Sequence, residues 1–93
     1  MNIEIPPGFM LGQIVATRNA LESLDNQDML VCLGRHSKGD WGDLCPEDKA
    51  LNDLAVVDEG RILSSYKDKA GTKFWIITEW DRSVTTILLP EDY

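Results

Sequence analysis

Basic side chains and imidazole are scarce in this chain. Nine Lys and Arg stand against sixteen Asp and Glu, a formal charge of −7, and His36 is the single histidine. A field of that sign repels phosphate backbones, so direct nucleic-acid binding is not expected. One imidazole also confines general acid–base chemistry near neutral pH to one group. Cysteine is equally sparse. Cys32 and Cys45 permit at most one bridge, too few for a disulfide-stapled secreted module, and reduced structural thiols are expected. No apolar run approaches the roughly 18 residues of a membrane span, so membrane insertion is not expected. The opening MNIEIPPGF lacks the basic start and apolar stretch of a secretory leader, which makes the cytoplasm the expected location. Gly-rich phosphate loops, a GxSxG elbow, paired CxxC motifs and HExxH are all missing, and no cofactor is expected.

What is present suits one small globular domain over residues 1–93. Apolar residues make up 43% of the chain and charged residues 27%, near the averages for folded soluble domains. Dividing 93 residues would leave neither part enough apolar surface to offset ordering entropy. Pro6, Pro7 and Gly8 break regular structure, and MLGQIVAT then reads as an extended segment. Thr17 is a candidate N-cap for a short helix through RNALESL. Asp25 or Asn26 can cap a second helix through QDMLVCLGRH, with Leu30, Val31 and Leu33 inward.

The third helix is the best defined. Pro46 suits a first helical position, Asp48 sits where a capping-box acid would, and Gly60 supplies a stop after PEDKALNDLAVVDE. Ala50, Leu51, Leu54 and Val57 are expected on its inner face, with Asp48, Asn52, Asp53 and Glu59 outside. Beyond Gly60 the period changes. RILSSYK, TKFWIITEW and SVTTILLP are rich in β-branched and aromatic residues, joined by connections of hairpin length. The expected fold is therefore α+β, an N-terminal extended segment and two to three short helices packed on a C-terminal three-stranded antiparallel meander. The middle strand is apolar on both parities, so it should be central. Helices cover one face well, which leaves the other to the N-terminal segment or a partner.

The acidic excess is concentrated: residues 40 to 59 hold seven carboxylates against Lys49 alone. Acids near a helix N-terminus interact favourably with its dipole, which accounts for part of the cluster. The functional reading makes Asp40, Trp41, Asp43, Glu47, Asp48 and Asp53 one anionic face with an aromatic anchor, for a protein partner with a basic surface. Cys32, His36 and Cys45 form an alternative metal set, although their spacing fits no strong zinc pattern. His36 with Arg61 and Arg82 forms an alternative catalytic set. Oligomeric state cannot be read from these features.

RILSSYKDKAGTKFWIIT resembles the strand pair of small ribonucleases of the barnase class, and the layout resembles RelE-type toxins, with Arg61 in the place of a phosphate-binding arginine. The histidine that this resemblance implies in the later strands is absent, since TEWDRSVTT offers Arg82 instead. GQIVAT, GDWGDLC, RILSSYK and WIITEWDRSVTTILLPEDY together resemble a group of small "plasmid-related" proteins of plasmids and integrative elements. Some of these carry the label of a type I restriction endonuclease subunit M. The chain is too short for a cofactor-binding methylase domain, and that label implies nothing here. The resemblance supplies no catalytic residue. It implies a mobile-element setting, in which small acidic proteins occupy basic nucleic-acid channels of defence complexes, an anti-restriction or anti-CRISPR-like mimicry.

Overall fold

The computed structural model describes residues 9–93, so the expected break at Pro6–Gly8 and most of the opening segment lie outside the described residues. In chain order the elements are β1 (Gln13–Ala16), α1 (Arg18–Ser23), α2 (Asn26–Ser37), α3 (Pro46–Asp58), β2 (Ile62–Lys67), β3 (Lys73–Thr78) and β4 (Val84–Leu88), followed by a 3-10 turn at Pro90–Asp92. The fold is α+β. The sheet, however, is four-stranded and mixed, in the order β1-β4-β3-β2. β2, β3 and β4 form the expected antiparallel meander, and β1 adds in parallel to β4, Gln13 opposite Val84 through Ala16 opposite Ile87. The three-stranded expectation is corrected by that parallel pairing, which joins positions some seventy residues apart and leaves no local signal.

Local chemistry accounts for most boundaries. Thr17 accepts the Ala20 N–H and caps α1, and Asp25 accepts the Asp28 N–H and caps α2. Pro46 opens α3, but the N-cap Cys45 makes no side-chain bond, so the capping box expected with Asp48 does not form. The chain leaves α3 through Glu59 in the left-handed conformation, one residue before the glycine expected to stop it.

One face of the sheet carries the core. Ala20 and Leu24 of the α1 region and Met29 and Cys32 of α2 pack on Tyr66, Phe74, Ile76 and Ile87. The register aligns Tyr66 with Phe74 and Ile76 with Ile87, so these side chains share that face. Of the three residues expected inward from the apolar run of α2, Leu33 alone packs, half-buried, against the core. Met29, Cys32 and His36, spaced by three and four, turn inward, while Leu30 and Val31 are exposed. On the opposite face Tyr93 of the C-terminal turn packs on Trp75, ring centroids 5.8 Å apart. Among the described residues no helix is long and apolar enough to cross a membrane.

Candidate interaction surface

His36 takes a core position because polar partners meet both ring nitrogens. Nδ1 bonds the Ser64 hydroxyl, and Nε2 lies 2.9 Å from Thr78 Oγ1. Thr78 Oγ1 is 2.7 Å from Thr85 Oγ1, which donates to the Leu11 carbonyl at 2.7 Å. Because Thr85 spends its proton on Leu11, Thr78 donates to Thr85 and His36 donates from Nε2, leaving Nδ1 to accept from Ser64. The relay is satisfied and sealed from solvent. Burial alone lowers the His36 pKa from 6.5 to about 4, so the ring is neutral at physiological pH.

That placement corrects both alternative sets. His36 is fully buried and has no nitrogen free for a metal or a substrate. Cys32 is buried in the core, where burial raises its thiol pKa, while Cys45 is exposed at the start of α3. Among the described residues no three His, Cys, Asp or Glu side chains are arranged to hold a metal. Arg61 donates to Tyr93 Oη at 2.6 Å and pairs with Glu79 at 3.2 Å. It precedes Ile62, which faces the core, and so belongs with Tyr93 to the sheet's other side. Arg82 donates to the carbonyls of Ala55 at 2.9 Å and Gly60 at 2.6 Å, tying the β3–β4 turn to the end of α3. His36, Arg61 and Arg82 are thus engaged in three separate structural roles.

The six residues of the expected anionic face separate in the same way. Trp41 is 3% exposed and is no surface anchor. Its indole stacks edge-on to His36 at 5.8 Å and lies 6.0 Å from Phe9, and its N–H donates to Asp53 at 2.9 Å. The backbone around it closes the free side of β2, with Ser65 N–H donating to Trp41 O at 3.2 Å and Asp43 N–H to Ser65 O at 2.7 Å. Gly42 makes this approach at φ 75°, where a Cβ would collide with Ser65 O and the Tyr66 ring. Asp40 is held by both Nε and Nη2 of Arg35, at 2.8 and 3.2 Å, and the Arg35 hydrogen bond lowers its pKa. Asp43, Glu47 and Asp48 remain exposed.

α3 itself is oriented against expectation. The residue it buries is Asn52, whose side chain donates to Leu63 O at 2.7 Å and accepts the Leu63 N–H at 3.3 Å, reproducing a strand neighbour for β2. With Asn52 inward, about 100° of turn per residue puts Glu47, Leu51, Leu54 and Asp58 in one stripe on the outward side, flanked by Val57, while Asp53 falls away from it and accepts the Trp41 N–H. Leu51, Leu54 and Val57 are 62%, 59% and 78% exposed. A shallow notch of about 260 Å³ beside the stripe is lined by Leu44, Asp48, Leu51, Asn52 and Leu63. The exposed helix therefore presents carboxylates and leucines together.

A second acidic cluster escaped the sequence reading. Asp68 is buried in the β2–β3 turn and accepts N–H groups from Asp25, Ala70 and Thr72, while Asp28 accepts the Lys69 N–H and Asp25 pairs with the Lys69 ammonium at 3.0 Å. These acids join the start of α2 to the hairpin and are structural. No protein-family model matches the chain, and no curated protein or solved structure matches it.

Proposed function

We propose that this chain is a small acidic, non-enzymatic docking module whose contact surface is the outward side of α3, and that its partner is a protein with a basic, partly apolar surface. The observation that carries the reading is the stripe of Glu47, Leu51, Leu54 and Asp58, with Val57 beside it, exposed on a helix that polar contacts at Asn52 and at its C-terminal end tie to β2 and to the β3–β4 turn. Exposed leucines and valine on a helix anchored without them fit a contact surface better than a solvated one. Carboxylates among them favour a cationic partner and disfavour nucleic acid.

The resemblance to small proteins of mobile elements supports the same reading, with a cytoplasmic nucleic-acid-handling or defence complex as the partner. The test is capture from lysate of a cell carrying the gene, followed by measurement of affinity for the captured protein. Leu54→Lys and the pair Glu47→Lys with Asp58→Lys should each weaken binding by more than about tenfold, and added salt should weaken it for the native chain. A partner bound equally well by these variants sinks the proposal.

A further inference from the structure

The two margins of the sheet are treated differently. β2 is closed by Trp41–Asp43 and by Asn52, whereas among the described residues β1 is paired only through β4, and it carries no lysine, proline or other edge-blocking residue between Gln13 and Ala16. Gln13 N–H donates to Ser83 O and Thr17 N–H to Ile87 O, so the odd-numbered residues turn their backbone groups to β4. The N–H and C=O of Ile14 and Ala16 consequently point to the open side. Their side chains share the core face of the sheet, where they line an open groove of about 340 Å³ with Leu21, Leu30 and Leu33. Ile14, Leu21 and Leu30 are exposed, and no charged residue lines the groove.

We infer that β1 is a self-pairing edge, which joins a second copy of this chain through an antiparallel β1–β1 contact into a continuous eight-stranded sheet. The occupant is specified by the symmetry of the strand. With a two-fold axis at Val15, Ile14 faces Ala16 of the second copy and Ala16 faces its Ile14, which satisfies all four outward donors and acceptors on each side. A large side chain then meets a small one on the core face, and Ile14 of the second copy reaches the groove beside Ala16. The formal charge of −7 bears little on this contact, because the groove itself is uncharged. Repulsion between copies is long-range and screened by salt. Self-association at β1 therefore strengthens with ionic strength, opposite to docking at α3.

Sedimentation equilibrium of the full chain at low and high salt tests the inference. The expected result is a species of twice 10.5 kDa whose population rises with concentration and with salt. Ile14→Lys puts a charge in the groove, and Ile14→Pro removes one outward N–H while remaining compatible with an edge strand in the monomer. Each should shift the association midpoint by more than about tenfold, with the circular dichroism spectrum unchanged. A native chain that stays monomeric at every concentration overturns the inference, as does a dimer indifferent to both substitutions. Hydrogen exchange on the native chain gives a reading independent of folding by the variants: Ile14 and Ala16 amides gain protection with concentration if β1 pairs, and exchange freely at all concentrations if it does not.

Discussion

The two edges of the sheet solve the same problem by different means. At β2 the unpaired backbone meets fixed polar partners: a three-residue stretch around Gly42 pairs with Ser65, and the Asn52 side chain pairs with Leu63. Trp41 locks that stretch against His36 and Asp53. At β1 nothing comparable exists among the described residues, and the side chains that line the groove beside it are uncharged. The difference teaches that acidity in residues 40 to 59 serves two ends. Asp40 and Asp53 hold the cover of β2 in place, while Glu47 and Asp58 lie on the side of α3 turned away from it. One margin is finished by the chain itself and the other is left available.

Removing the lock at the closed edge should have the largest effect. Trp41→Ala empties a buried site and frees the cover of β2, with an expected loss of about 3–5 kcal/mol in urea unfolding. Acid should act on the neighbouring ring. The His36 pKa is about 4 in the folded chain and 6.5 ordinarily, so between those values the unfolded chain binds the extra proton and stability falls as pH drops. The stabilisation is complete above pH 6.5 and diminishes toward pH 4 by about 3 kcal/mol. His36→Gln should flatten that pH dependence, measured as the denaturation midpoint across the window.

Asn52→Ala should cost less, about 1–3 kcal/mol, because it leaves the Leu63 N–H and C=O without their side-chain partner. Faster amide exchange at Leu63 would show that the closed edge had been opened. At the open edge, Ile14→Lys should change the stability of the monomer by no more than about 0.5 kcal/mol, since Ile14 is exposed. A loss at Ile14 as large as that at Asn52 would mean that β1 is not an open edge in the monomer.

Much of this architecture could be read along the chain. The strands at Ile62–Lys67, Lys73–Thr78 and Val84–Leu88 fall within the three β-rich stretches, and β3 is central as its two apolar parities require. Thr17, Asp25 and Pro46 stand at the helix starts where their chemistry places them. The candidate site was less legible. Asp43, Glu47 and Asp48 are exposed as expected, but Trp41 is inside and Leu51, Leu54 and Val57 are outside. Apolar spacing marks one side of α3 without saying what that side will meet.

The sequence alone determined the acidic balance, the helix starts and the meander, because each depends on residue type, local conformational preference and contacts between neighbours in the chain. Tertiary structure alone decided that β1 joins β4, that His36 lies inside a hydroxyl relay, and that Asn52 rather than leucine faces the sheet. Those outcomes depend on which backbone donors and acceptors remain unpaired once distant segments meet, and a buried unpaired group is costly enough to override the apolar pattern of a helix.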